Sequence, residues 1–185
     1  MSIMFTINSW SILVPLFLLF SFIMVWLAKF KKQRYSFLQY TFLTSFVIYL
    51  LAVIHLVYFP IDVNIGKYAN QTPWYNSLNL IPIITIDIKT FLLNILMLIP
   101  FGMYLPIINT KLNSLKKAAQ YGLLLSLSFE IIQLLIRVTL GSSRSSDIND
   151  LIANVLGSVL GYLFVKRLLE VKILKSLLPR FSVGI

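Results

Sequence analysis

The 185-residue sequence is 58% hydrophobic and only 12% charged, with a mean hydropathy of +0.87. Soluble domains carry roughly 25% charged residues, so this composition excludes a water-soluble monomer and indicates a protein surrounded by lipid. The absence of cysteine excludes disulfides and zinc–thiolate sites, and the single histidine excludes a polyhistidine metal site.

Five stretches are long and apolar enough to cross a bilayer as helices, because a span needs about 20 predominantly apolar residues. The first lies within residues 1–28 and carries a charge-free run at 12–28, which basic residues follow instead of precede. That order predicts a retained helix rather than a signal peptide. The other spans are expected at about 37–58, between Lys89 and Lys111, at about 118–138 and at about 148–165. The expected fold is an all-α, polytopic helical membrane protein with about five transmembrane helices and one domain, residues 1–185.

The basic residues predict the orientation of these helices. Cytoplasmic loops are enriched in lysine and arginine, and an inside location for the first loop places twelve of the sixteen basic residues in the cytoplasm. We therefore predict an N-out, C-in topology. This orientation accounts for the net charge of +10, so no nucleic-acid partner is expected. The inside positions are Lys29, Lys31, Lys32, Arg34, Lys111, Lys116, Lys117, Lys166, Arg167, Lys172, Lys175 and Arg180, and the outside positions are Lys67, Lys89, Arg137 and Arg144.

The longest connection, residues 60–89, is too short and too interrupted for another span. Trp74 and Tyr75 are typical of residues at headgroup level, and residues 79–82 (Asn-Leu-Ile-Pro) favour a turn. We expect an ordered, partly interfacial loop on the outer side.

Polar side chains recur at helical spacing in the outer halves of the last three spans. Glu130, Gln133 and Arg137 stand at i, i+3 and i+7 and share one helix face, and a similar stripe in the fifth span begins at Asp147 and Asp150. Because polar groups are costly inside a membrane, they predict a functional site. We expect a polar cavity between the third, fourth and fifth helices, open toward the outside or the outer leaflet. The predicted ligand-binding residues are Asn94, Glu130, Gln133, Arg137, Arg144, Asp147, Asp150 and Asn154.

Helix geometry also predicts depths and partners for these groups. At 1.5 Å per residue, Glu130 lies about 12 Å below the outer end of its helix, whereas Asp150 lies near the interface. Arg137 and Arg144 are the expected partners of the carboxylates. Structural roles are the alternative: a Glu130–Arg137 pair would fix helix register, and Asp147 and Asp150 would cap the fifth helix and compensate its dipole.

Two further local patterns have a chemical interpretation. Ala153, Gly157 and Gly161 follow the spacing of small residues that predicts close helix packing rather than ligand contact. The loop 141–146 combines serine hydroxyls, Arg144 and the free amides of a helix start, which are the parts of a phosphate or carboxylate site. The acids beside that loop argue against a simple anion site, and a cation or an amine-bearing ligand would reconcile the two.

Residues 79–82, the run 91–102 and the polar and glycine positions of the last two spans form an ordered set of motifs. This set resembles the VanZ-like family of bacterial membrane proteins over about residues 79–164. The family usually has glycine immediately before the arginine of the fourth loop, where this chain has Ser143. The resemblance implies a multi-pass protein of the bacterial cell membrane, associated with low-level resistance to teicoplanin and lipoglycopeptide antibiotics. The matching positions are 79–82, the run 91–102 (FLLNILMLIPFG), Glu130, Gln133, Arg144, Asp147, Asp150, Asn154, Gly157 and Gly161.

The preferred functional interpretation is a non-enzymatic or accessory protein whose outer-leaflet cavity engages a lipid-linked or lipid-tailed cell-envelope molecule. Candidate ligands are membrane lipids, a lipid-linked cell-wall precursor or a lipoglycopeptide, and no cofactor or metal is expected. The first alternative is an intramembrane hydrolase or transferase, with Glu130 or Asp150 as acid or base and Arg144 stabilising an anion. The second is a small-molecule transporter, for which five helices without visible repeats offer little machinery for alternating access.

Overall fold

The computed structural model describes residues 2–30, 35–66, 73–170 and 181. Within these residues the five expected spans are confirmed as five long helices, each apolar enough to cross a membrane. Their lengths of 21 to 26 residues suffice for a hydrocarbon core of about 30 Å at 1.5 Å per residue. They are α1 (Trp10–Phe30), α2 (Phe37–Tyr58), α3 (Ile88–Ile108), α4 (Leu115–Leu140) and α5 (Ile148–Leu169).

Two small sheets, which the hydropathy pattern did not predict, lie at one end of the helices, called the sheet end below. The strand β1 (Ser2–Ile7) pairs antiparallel with β2 (Ile61–Gly66). The strand β3 (Leu78–Asn79) pairs in parallel with β4 (Ser146–Asp147). The chain ahead of the first span is therefore extended up to Ile7. The first sheet joins the segment before α1 to the segment after α2. The second sheet joins the segment before α3 to the connection between α4 and α5.

The part of the long connection that the structure describes is ordered, as expected. A short 3-10 helix at Trp74–Ser77 leads into β3. Residues 67–72 of this loop lie outside the described residues, as do several basic residues on which the predicted orientation depends. The N-out, C-in topology therefore stays a prediction.

The tightest helix contact joins α3 to α5, and glycines make it possible. A Cβ atom at Gly157 would overlap the carbonyl oxygen of Ile95, and one at Gly161 would overlap that of Ile99. On the opposite helix, a Cβ at Gly102 would overlap the α5 backbone. Because backbone presses on backbone at these points, the prediction of a close-packing role for the α5 glycines is confirmed.

Polar side chains join α5 to α4 and to the turn that precedes α4. Ser158 Oγ donates to the carbonyl oxygen of Ala118 (2.9 Å), and Tyr162 OH donates to Asn113 Oδ1 (3.2 Å). Ser158 is fully buried, so its hydroxyl would be costly without this acceptor. Hydrogen bonds of this kind supply helix association in a lipid environment, where apolar contacts alone give little preference for protein over lipid.

The chain turns back on itself after α4. Gly141 adopts the left-handed conformation (φ 65°) that commonly ends a helix, and the following residues return alongside the last turns of α4. They reach β4, where the Asp147 amide donates to Glu130 Oε2 (2.9 Å). Glu130 lies ten residues before the end of α4, so α5 begins about 15 Å below that end. Glu130 and Asp150 therefore lie at a similar level along α4, whereas the sequence had suggested that Asp150 lies nearer the outer end of the helices.

Candidate functional site

The polar residues meet in a cavity of about 550 Å³ near the sheet end. Four helices line it, not three as expected, because α2 contributes Leu56 and Val57. The sequence did not predict that α2 lines the cavity, since both residues are apolar like any lipid-facing side chain. Six of the eight predicted ligand-binding residues line the cavity: Asn94, Glu130, Gln133, Arg144, Asp150 and Asn154.

Glu130 is the link between α4 and the start of α5. Its carboxylate accepts the Asp147 amide, and its backbone carbonyl accepts a hydrogen bond from Ser146 Oγ (3.0 Å). On one side its side chain faces the polar cavity, and on the other it borders a smaller apolar pocket of about 200 Å³. Glu130 therefore positions the α4–α5 connection and also presents a carboxyl group to the cavity.

Asp150 and Asn154 bring α5 into the same cavity. The Asn94 side chain of α3 and the Asp150 carboxyl group line this cavity together. Asn154 is only 2% exposed, and its Nδ2 donates to Ser126 Oγ (2.9 Å). Its Oδ1 is buried without a hydrogen-bond partner among the described residues. An unsatisfied buried acceptor in a cavity wall is a place where a ligand donor would be stabilising.

The expected pairing of the two arginines with the cavity acids is not what the structure displays. Arg144 Nη2 donates to the carbonyl oxygen of Pro60 (3.2 Å), and no carboxylate lies within 4 Å of its guanidinium group among the described residues. Arg137 Nη1 donates to the carbonyl oxygen of Arg144 (3.2 Å) and does not line the cavity. Arg137 therefore supports the loop that carries Arg144.

Asp147 has a structural position, outside the cavity lining. It is the N-cap of α5, where its Oδ1 accepts the Asn149 amide (2.8 Å). Its other oxygen accepts a hydrogen bond from Asn79 Nδ2 (2.9 Å), which connects it to β3. Of the two alternatives for this residue, capping and ligand contact, the geometry favours capping.

A second, polar chamber of about 340 Å³ adjoins the cavity toward the sheet end. The two spaces share Gln133, Arg144 and Asp150. The sequence had indicated the serines beside Arg144 as a possible anion site, whereas Asp62 was not among the predicted ligand-binding residues. The chamber residues not shared with the cavity are Pro60, Asp62, Ser142, Ser143 and Ser145.

The opposite boundary of the cavity is apolar and open. Leu56 of α2 and Leu93 and Leu96 of α3 line it, yet they are 65%, 55% and 61% exposed. Side chains that line a cavity and are also more than half exposed lie at its mouth. The cavity thus has a polar end near the loops and an apolar gap between α2 and α3.

Comparisons with known proteins agree with this arrangement. No significant similarity was found to a curated protein or to a solved structure. The VanZ/LLP1 family, however, matches residues 46–170, which cover α3, α4, α5 and most of α2 and include every cavity residue. With about two thirds of its length matched, this multi-pass helical chain belongs to the VanZ/LLP1 family.

Proposed function

We propose that this VanZ-like membrane protein engages a lipid-linked or lipid-tailed cell-envelope molecule at the outer leaflet of the bacterial cell membrane. The main support is a cavity with an apolar mouth between α2 and α3, which shares lining residues with a polar chamber near the loops. An amphiphile matches that division, because its chain would remain among apolar side chains while its head group reaches Glu130, Arg144 and Asp150.

The cavity mouth supports entry from the side. Leu93 and Leu96 lie on the α3 edge of the gap and Leu56 on the α2 edge, so a chain in the gap would contact leucine on both sides. A head group drawn in from bulk water alone would not need this apolar opening. The orientation required places the sheet end at the outer surface, which is the orientation that the basic residues predict.

Substitution of two adjacent leucines tests whether a lipid chain occupies the cavity mouth. Leu92 and Leu93 are 54% and 55% exposed, but only Leu93 lines the cavity. Leu93→Trp adds bulk at the mouth, so we expect the purified protein to retain several-fold less lipid in native mass spectrometry. Leu92→Trp adds the same bulk on a neighbouring face and should retain as much lipid as the parent. Equal retention by the two folded variants would contradict occupation of this gap.

The association with antibiotic resistance is tested in cells. A strain that lacks the gene and carries the parent gene, Leu93→Trp or Leu92→Trp is compared for growth in teicoplanin and in a lipoglycopeptide. We expect the parent and Leu92→Trp to give equal protection and Leu93→Trp to give less. Equal protection by all three, at equal membrane abundance, would separate resistance from the cavity.

The enzymatic alternative has one supporting observation, namely that Glu130 and Asp150 face the same cavity from two different helices. Such a pair would serve as acid and base toward a bound lipid head group. Incubation of the reconstituted protein with envelope lipids, followed by chromatography of the products, decides between the two. Turnover that Glu130→Gln and Asp150→Asn abolish would replace the binding role by catalysis.

A further inference from the structure

Two acidic side chains and a buried asparagine line the cavity. Glu130 and Asp150 supply two carboxyl groups, and Asn154 supplies an Oδ1 atom that has no partner among the described residues. The Arg144 guanidinium lies beyond 4 Å from any described carboxylate, so it does not neutralise the acids by direct contact. The lining also contains Asn94, Gln133 and Arg144, but it holds two carboxyl groups and one guanidinium, so a ligand that brings N–H donors and a positive charge would fit it.

The adjoining chamber combines Arg144 and serines with the carboxyl groups of Asp62 and Asp150. The guanidinium has five N–H donors, of which one points to the Pro60 carbonyl oxygen. The hydroxyl groups of Ser142, Ser143 and Ser145 line the same chamber. Arginine and serine hydroxyls together are a phosphate-binding combination. The cavity and the chamber thus share Arg144 and Asp150, with Glu130 and Asn154 on one side and the serines on the other.

We infer that the cavity selects lipids whose head group carries a primary ammonium beside a phosphate, with the ammonium on Glu130, Asp150 and Asn154 and the phosphate on Arg144. This inference rests on the proposed function, because it names the class of lipid for the same cavity. A primary ammonium offers three N–H donors and a positive charge, which match two carboxyl groups and one orphaned carbonyl oxygen. A phosphate followed closely by an ammonium spans the boundary between the cavity and the chamber.

Other common head groups match less well. A quaternary ammonium carries the charge but no N–H donor, so it would leave the Asn154 oxygen unsatisfied. A glycerol head group has donors but no positive charge, so it would leave the two acids uncompensated. The selection therefore depends on N–H donors as well as on charge.

Lipids with increasing N-methylation of the head group test the selection for a primary ammonium, with the 185-residue protein in micelles. Phosphatidylethanolamine, its N-methyl and N,N-dimethyl derivatives and phosphatidylcholine, all with the same acyl chains, compete for the protein, and native mass spectrometry measures the bound fraction. We expect binding to fall stepwise along the series, by about tenfold in total, as donors decrease from three to none. A flat series overturns the inference while the proposed lipid site stands, whereas binding of no lipid at all overturns both.

Variants of the acids and of Arg144 test which residues select the head group. The double variant Glu130→Gln/Asp150→Asn should flatten the series, and Arg144→Gln should weaken all four lipids in parallel without flattening it. Glu170→Gln is the control, because Glu170 is exposed and pairs with Arg167 at the end opposite the cavity. Where the double variant fails to fold, the single Asp150→Asn variant takes its place and should reduce the slope of the series. A full slope in folded acid variants overturns the assignment.

Competition by a water-soluble compound distinguishes a lipid ligand from a free amine. Phosphoethanolamine has the same head-group chemistry without acyl chains, so it should compete poorly with the lipid at equal concentration. Competition as strong as that of the intact lipid would identify the ligand as a soluble aminophosphate and overturn the lipid assignment.

Discussion

Asp147 shows how one side chain can hold the start of a membrane helix. Its two carboxylate oxygens accept hydrogen bonds from the Asn149 amide and from Asn79, while its own amide donates to Glu130. The Asp147 side chain thus connects α5 to β3, and the Asp147 backbone amide connects the start of α5 to α4. Removal of the side chain should loosen the first of these connections and leave the second in place.

We expect Asp147→Ala to destabilise the protein by about 1–2 kcal/mol, the usual cost of losing an N-cap together with a second hydrogen bond. Asp147→Asn should cost less, because asparagine is also a good N-cap. Thermal unfolding in one detergent, followed by circular dichroism, measures both. Asp147→Ala as stable as the parent would show that the cap contributes nothing in micelles.

Sequence spacing could place Asp147 and Asp150 on one stripe but could not separate their roles. They are three residues apart, so both project from nearly the same side of α5. What distinguishes them is where the helix begins: Asp147 precedes the first turn and accepts the Asn149 amide, whereas Asp150 lies inside that turn and lines the cavity. Helix starts are set by local capping and by tertiary contacts together, so a periodicity argument does not locate them.

At the scale of the helices, the contact between α3 and α5 depends on the lack of side chains at a few points. Lipid chains are as apolar as leucine, so this contact gains from close van der Waals approach rather than from removal of water. The sequence revealed this feature because Gly157 and Gly161 are four residues apart and fall on one face. It did not reveal the partner, since Gly102 on α3 stands alone in its segment and belongs to no repeat.

Gly157→Ala should therefore weaken the α3–α5 contact, with a loss of about 1–3 kcal/mol, the typical cost of overpacking. The added Cβ would meet the carbonyl oxygen of Ile95, which cannot move unless the α3 backbone moves. Leu156→Ala is the control, because Leu156 is exposed on the adjacent face and its loss removes mainly lipid contact. Unfolding temperatures in the same detergent compare the two, and a Gly157→Ala variant as stable as Leu156→Ala would contradict backbone contact at this position.

For the whole molecule, the positions of the five helices were predictable because a bilayer demands length and apolarity, which a sequence displays directly. The depth of the site was not predictable in the same way. The return of the chain after Gly141 and its pairing with β3 bring residues distant in sequence together, so no local pattern indicates that α5 begins beside Glu130. Irregular backbone at membrane depth is tolerated where protein covers it or a cavity adjoins it, and here both conditions hold.

The orientation of the molecule determines which leaflet can supply a ligand to the gap between α2 and α3. Because the chain has no cysteine, single cysteines report their location without background labelling. Asn76 is exposed at the sheet end, and Lys116 is exposed at the start of α4 at the other end. With the N-out topology, a membrane-impermeant maleimide should label Asn76→Cys in intact cells, whereas Lys116→Cys should react only after the membrane is permeabilised. Labelling of Lys116→Cys alone in intact cells would invert the molecule and place the cavity at the inner leaflet, which would contradict access from the outer surface.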